Sequence, residues 1–247
     1  MSSDKKFKLD GKEIPIQDGD TIMDAALRAG EYIPHLCHNP EFKPNGSCRV
    51  CIVDVNGRHM SACTRPAAEN MEVDNSSEVI LELRRSLLQM LFVEGNHICP
   101  ACEKSGACQL QAVAYYTRML NPRFRHFFPR RSIDASHPDI IFYFNRCILC
   151  GLCERASRDV DGKNVFSISG RGINSKLVFN SPTGKLGDSA LSATDKAVSV
   201  CPVGAILPKH KGYEDPIGER LYDSKPISVV GDVAANHSEN ESSRNHD

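Results

Sequence analysis

Eleven cysteines fall into groups along the 247 residues, and their spacing is where chemistry can be read. Cys37, Cys48, Cys51 and Cys63 stand at C-x10-C-x2-C-x11-C. Cys99, Cys102 and Cys108 follow at C-x2-C-x5-C, with His97 two residues ahead of the first. Cys147, Cys150 and Cys153 come next at C-x2-C-x2-C, and a lone Cys201-Pro202 lies farther on. An odd number of cysteines cannot be fully paired as disulfides within one chain. The opening residues, MSSDKKFKLDGKEIPIQ, carry no apolar segment of a secretory signal. Thiolates on metal in a reducing compartment account for the pattern better than disulfides, so the expected location is cytoplasmic.

Four thiolates are what a [2Fe–2S] core takes, two on each iron, and the loop EYIPHLCHNPEFKPNGSCRVC can wrap one where a helix could not. Gly46 and Ser47 beside Cys48 let backbone N–H groups approach the sulfurs. A structural zinc ion is the alternative for the same thiolates, although zinc sites more often show two close pairs and this group has one. His35 and His38 flank Cys37, but four positions are filled without them, so hydrogen bonding inside the loop is expected of both. The stretch GNHICPACEKSGACQLQ places four soft or borderline donors within 12 residues, which points to a metal. The triplet Cys147, Cys150, Cys153 opens a bacterial ferredoxin run, yet three residues on stand Ser157 and Arg158 rather than Cys-Pro. The Cys-Pro appears at 201–202, so one [4Fe–4S] cluster is expected from the triplet with Cys201, and the second cluster of that pattern is missing.

The elements that position these residues read as α+β. Phe7 to Leu9 and Glu13 to Gln17 flank the turn Asp10-Gly11, and a helix from about Ile22 to Ala29 is capped by Thr21 with Asp24 and stopped by Gly30. CIVDV and RHMSAC alternate around Asn56-Gly57, a second hairpin. Hairpin, helix, cysteine loop, hairpin is the order of a β-grasp ferredoxin. Ile80, Leu83, Leu87 and Leu91 predict an amphipathic helix from Ser77 to Val93, ended by Gly95, and QLQAVAYYTRML predicts another. The His97 stretch therefore lies in a loop between two helix ends. RFRHFFPRR, residues 123 to 131, is expected to be a connecting arm that packs its Phe side chains and pairs its Arg with neighbours or a partner subunit.

A strand from Asp139 to Asn145 leads into the triplet, and the 47 residues before Cys201 include VFSIS, KLVFN and a helix near Ala193 to Val200, capped by Ser192 with Asp195. The polar sequence beyond Gly231 is expected to be disordered. The division is thus a [2Fe–2S] β-grasp domain at 1–76, a helical unit at 77–122, an arm at 123–138, a ferredoxin-like unit with an insertion at 139–230 and a tail at 231–247.

Several function classes are disfavoured by composition. The formal net charge of −1 argues against nucleic acid as a partner, and no apolar run reaches the roughly 18 residues of a membrane span. The glycines at 170–172 and Gly184-Lys185 do not match nucleotide loops, so no NAD or flavin site is expected in this chain.

The ordered set of cysteines with His97 resembles the N-terminal half of the large iron–sulfur subunit of respiratory complex I, and the matching portions of [FeFe] hydrogenases and formate dehydrogenases. EGNHICPACEKSGACQLQAVAY and NRCILCGLCERASRDVDGKNVF are most similar to the small diaphorase subunit of soluble NAD-reducing [NiFe] hydrogenases. The resemblance covers residues 7 to 225. It implies a [2Fe–2S] cluster on Cys37, Cys48, Cys51 and Cys63, a first [4Fe–4S] cluster on His97, Cys99, Cys102 and Cys108, and a second on Cys147, Cys150, Cys153 and Cys201.

The resemblance also implies an electron-transfer subunit of a hydrogen:NAD+ oxidoreductase, with no catalytic site of its own. Its partners would be the [NiFe] small and large subunits and a diaphorase subunit carrying FMN and NAD. The length of the chain favours this branch, because the others continue into large catalytic domains. In complex I and [FeFe] hydrogenases the histidine stands at H-x3-C, whereas here it is H-x-C. The rival readings are the iron–sulfur subunit of an NAD-dependent formate dehydrogenase or electron-bifurcating [FeFe] hydrogenase, and a zinc-stabilised interaction protein.

Overall fold

The fold was taken from a computed structural model, which describes residues 5–213 and 215–232. Asp10 and Gly11 both adopt positive φ and turn β1 (Lys6–Leu9) back onto β2 (Lys12–Pro15). Helix α1 (Ile22–Arg28) begins with the expected capping box, the Thr21 hydroxyl accepting from the Asp24 N–H and the Asp24 carboxylate from the Thr21 N–H. Asn56 and Gly57, again both at positive φ, join β3 (Ile52–Val55) to β4 (Arg58–Ser61), as a two-residue primed turn requires. Strand β5 (Glu72–Asp74) is too short to show alternation, and the sequence reading did not anticipate it. It pairs parallel to β1 and antiparallel to β3, giving the order β2-β1-β5-β3-β4. Ile22, Met23, Ala25 and Ala26 pack with Phe7, Leu9, Ile14, Val53 and Val73 in a core confined to residues 7–73.

Helix α2 (Glu78–Glu94) buries Ile80, Leu88 and Val93, and also Arg84. Helix α3 (Gln109–Tyr116) is shorter than expected. The Thr117 hydroxyl turns back to the Val113 and Ala114 carbonyls, Arg85 takes the Thr117 carbonyl, and Arg118 enters the left-handed region. The arm does not pack its Phe side chains, since Phe124, Phe127 and Phe128 are all exposed. It is held by polar and backbone contacts instead, Phe127 N–H to the Val93 carbonyl and the Asn96 amide to the Pro129 carbonyl.

Strands β6 (Ile133–Asp134) and β7 (Ile140–Tyr143) precede the triplet, and α4 (Leu152–Asp159) begins within it and carries Cys153 in its first turn. The hairpin β8 (Phe166–Ser169) and β9 (Lys176–Phe179) comes next, then α5 (Lys196–Ser199), β10 (Ile206–Pro208) and α6 (Ile227–Val230). Pairing of β10 with β7 brings the segment after Cys201 beside the strand that leads into Cys147. Helix α5 is a single turn, and its start is not capped as the sequence suggested. The carboxylate of Asp161 accepts the N–H groups of Lys196 and Ala197, while Asp195 accepts the Ser192 N–H.

The second core joins residues of α2, α3, β7, α4, β8, β9 and α6 in one cluster, and Leu36, Cys37, Phe42 and Val50 of the first cysteine loop are sunk into it. Among the described residues no helix is long and apolar enough to cross a membrane. Of the tail expected to be disordered, residues 233–247 lie outside the described residues.

Candidate metal centres

The loop between α1 and β3 carries Cys37, Cys48 and Cys51, and Cys63 follows β4. Cys37, Cys51 and Cys63 are buried, and the four thiols lie in mutual contact, Cys37 meeting Cys48 and Cys63, and Cys63 also meeting Cys51. The Cys48 N–H donates to Cys37 Sγ at 3.5 Å, and Cys51 Sγ lies 3.3 Å from Cys63 Sγ. Gly46 and Arg49, both at positive φ, turn the backbone on either side of Cys48. Hydrogen bonds from Cys48 and Cys63 hold Cys37 far below the usual thiol range, and the same contacts push Cys48 and Cys63 up. His35 hydrogen-bonds as expected, to the Ile33 carbonyl at 2.7 Å and to Asp232 at 2.5 Å. His38 does not, because both of its ring nitrogens are buried without a hydrogen-bond partner.

His97, Cys99, Cys102 and Cys108 line one cavity, closed by Phe92, Leu110 and Val203. Cys99 starts a 3₁₀ turn with Pro100 behind it, and Cys108 sits at the N-terminus of α3. The imidazole packs edge-on to Phe92 at 5.4 Å, and one ring nitrogen bonds the Leu91 carbonyl. The other, Nε2, is buried with no partner. Burial holds this histidine down to about 4, hence neutral at physiological pH. A neutral ring held through one nitrogen to a carbonyl, with the other nitrogen bare and the ring lining one cavity with three thiols, is compatible with a metal-binding histidine. The short H-x-C spacing therefore does not prevent His97 from reaching the cysteines.

Gly95 explains how the ring fits. A Cβ there would stand 2.6 Å from His97 Nε2 and 2.6 Å from the Asn145 carbonyl, so this glycine makes room and does not merely stop α2.

Cys147, Cys150, Cys153 and Cys201 line a second cavity with Phe142, Leu177 and Ile206. Leu149 and Gly151, at positive φ, give the tight turn that points the triplet inward. Burial pushes the Cys147 thiol up to about 11 and Cys108 up to about 12, and raises Cys150 and Cys153 as well. Such thiols give up protons only to a partner that takes the charge, so binding there is coupled to proton release. All eleven cysteines are free thiols and each belongs to one of the three groups, with none left over. Among the described residues no three His, Cys, Asp or Glu side chains converge closely enough for a single metal ion. The second and third groups surround a space rather than a point, which suits a multi-atom core better than one zinc ion.

The third group touches ligand candidates of both others. Gly204 lies so near Cys102 that a Cβ would stand 2.9 Å from its Sγ, and Arg146 bonds Glu103 at 2.7 Å and the Gly204 carbonyl at 3.3 Å. On the other side Arg155 donates to the carbonyls of Cys37 at 2.6 Å and Cys150 at 3.5 Å. The first and second groups meet through Gln109, whose amide donates to the His35 carbonyl at 3.1 Å. Sequence reasoning missed Gly95, Gly204, Arg84 and Arg155. The available signal was at Arg84, which stands in the i, i+4 row of Ile80 and Leu88 on the apolar face of α2.

Family models match in the same three places: a 2Fe-2S iron-sulfur cluster binding domain at residues 5–78, the NADH-ubiquinone oxidoreductase-G iron-sulfur binding region at 84–123, and a 4Fe-4S single cluster domain at 144–207. The gamma chain of the NAD-reducing hydrogenase HoxS of Cupriavidus necator is 40% identical over 223 residues, 90% of this chain and 94% of that protein. The alpha chain of the NADPH-Fe(3+) oxidoreductase of Geobacter sulfurreducens is 30% identical over 81% of this chain, which spans only 24% of it. A chain in the crystal structure of an NAD+-reducing [NiFe]-hydrogenase in the H2-reduced state superposes with a TM-score of 0.90 at 50% identity, over 94% of this chain and 99% of that one.

Proposed function

This chain belongs to the family of NAD-reducing hydrogenase gamma chains, iron–sulfur electron-transfer subunits of that oxidoreductase, and we propose that it works as a three-station wire within such an enzyme. The reading rests on one observation: eleven free cysteines and a bare, buried histidine nitrogen fall into three groups with no cysteine to spare. We assign Cys37, Cys48, Cys51 and Cys63 to a [2Fe–2S] cluster held in a β-grasp unit, with Cys37 and Cys48 on one iron and Cys51 and Cys63 on the other. His97, Cys99, Cys102 and Cys108 are assigned to one [4Fe–4S] cluster, and Cys147, Cys150, Cys153 and Cys201 to another. The donors fit these groups: thiolates from loops with tight left-handed turns, and a neutral imidazole oriented by a carbonyl.

When bound, such clusters supply reversible one-electron chemistry near neutral pH. The chain's own residues space them, bury them and keep water out. Contacts through Arg155 and Gly204 support the order [2Fe–2S], Cys147 group, His97 group. Partners follow the family: [NiFe] small and large subunits at one end, and a diaphorase subunit carrying FMN and NAD at the other, in the cytoplasm. In this reading the units 1–76, 77–122 and 139–230 each carry one cysteine group, and 123–138 is the arm between the last two.

Iron and acid-labile sulfide counting with EPR on the purified chain tests the assignment. About ten irons per chain are expected. Zinc without sulfide would overturn it, and co-purification of molybdenum or an [FeFe] subunit would move the chain to another enzyme.

A further inference from the structure

Two buried arginines have no acidic partner among the described residues. Arg84, fully buried on α2, donates to the Val50 carbonyl at 3.1 Å and the Ile52 carbonyl at 2.6 Å, on either side of Cys51, and to the backbone and side chain of Asn75. Arg155, 5% exposed on α4, donates to Lys43 and Cys37 in the first loop and to Cys150 and Gly151 in the triplet turn. Among the described residues neither guanidinium has a carboxylate within ion-pair distance. Asp10 acts on Arg84 only at a distance and its carboxylate takes the Asn75 N–H, while Asp159 is paired with Arg158.

Each guanidinium makes four hydrogen bonds, all to neutral oxygens, so its charge is left without a counter-charge, an arrangement that is costly unless an anion lies close by. The carbonyls it clasps belong to, or flank, Cys51, Cys37 and Cys150, which are candidate ligands of two different clusters.

Resting on the cluster assignment above, we propose that Arg84 and Arg155 are fixed counter-charges of the wire, Arg84 serving the [2Fe–2S] centre alone and Arg155 serving the [2Fe–2S] centre and the Cys147 centre together. A tetrathiolate [2Fe–2S] core carries about −2 when oxidised, and each one-electron reduction adds one further negative charge with no proton. A guanidinium cannot lose its proton to follow that change, so the cation stays and favours the reduced state on whichever centre it faces. The sharing has a consequence that packing alone does not produce. Arg155 moves both potentials in the same direction, while none of its hydrogen bonds goes to the His97 group. Arg155 and Arg84 are positioning residues here, since they act through the loops and the field and touch no reacting atom.

The test is redox-titrated EPR on the purified, cluster-loaded chain, with iron and sulfide counted in each sample. Arg155→Gln retains an amide donor of two N–H groups and removes the charge. It is expected to shift the reduction equilibria of the [2Fe–2S] and Cys147 centres at least tenfold toward the oxidised form, about 59 mV for a one-electron couple, and to leave the His97 centre unmoved. Arg155→Lys is expected to restore both. Arg84→Gln is expected to move the [2Fe–2S] centre only, and either Gln variant decides if the other fails to assemble. Unmoved midpoints in a fully loaded Gln variant overturn the proposal. So does an equal shift of all three centres, or a Lys variant as low as the Gln variant, which would make shape rather than charge the cause. A wild-type chain without iron and sulfide instead overturns the cluster assignment.

Discussion

Gly95→Ala tests the placement of His97 with a single methyl group. The added Cβ would stand 2.6 Å from the Asn145 carbonyl and from His97 Nε2, about 0.8 Å inside ordinary contact on both sides. The carbonyl cannot yield readily, because it accepts the Asn96 N–H at 2.9 Å and lies two residues before Cys147. The imidazole is the softer neighbour, so the strain falls on the one nitrogen assigned to metal. Overpacking of this kind costs about 1–3 kcal/mol, a factor of about 5 to 150 in the occupancy of a site that depends on the ring. Iron and sulfide counting with EPR of the reduced chain is the assay. Loss of about four of the roughly ten irons is expected, with the signals of the other two centres kept. Gly212→Ala is the control, since a Cβ there meets nothing within 4 Å. Full iron content and an unchanged His97-centre signal in Gly95→Ala would refute the ligand role of His97.

Other outcomes follow from the same geometry. His97→Cys is expected to keep the cluster and lower its midpoint, because a thiolate adds negative charge where imidazole adds none, and His97→Ala is expected to make that cluster labile; redox-titrated EPR reads both. Cys201→Ser is expected to disturb the Cys147 centre alone, and loss of the [2Fe–2S] signal would break the grouping of the cysteines. Asp161→Ala removes the cap of α5 and is expected to cost about 0.5–2 kcal/mol in denaturant unfolding, with Ser192→Ala far milder. Hydrogen bonding from Arg28 holds the Asp20 carboxyl below its usual range, so its contribution is present above about pH 4 and is lost as pH falls through the lower folded value. Asp20→Asn is therefore expected to be less stable than wild type at pH 7, by about 1 kcal/mol or less given the half-exposed arginine, and the gap in denaturant midpoint closes in acid.

Sequence alone determined the local features, because each rests on residues close together in the chain. The two hairpin turns need positive φ at Asp10-Gly11 and Asn56-Gly57, the capping box needs only Thr21 and Asp24, and the three cysteine groups announce themselves by spacing. Tertiary structure decided what depends on distant partners. A three-residue central strand exists only because β1 and β3 flank it, and α5 is capped from Asp161, thirty-five residues upstream of Lys196. Cys201 reaches its triplet because β10 pairs with β7, and the space at Gly95 and Gly204 is set by neighbours far along the chain. The contacts between the cysteine groups were likewise hidden, since they are set by which loops the shared core presses together: Arg155 ties the first loop to the triplet turn, and Gln109 ties the His97 stretch to the first loop.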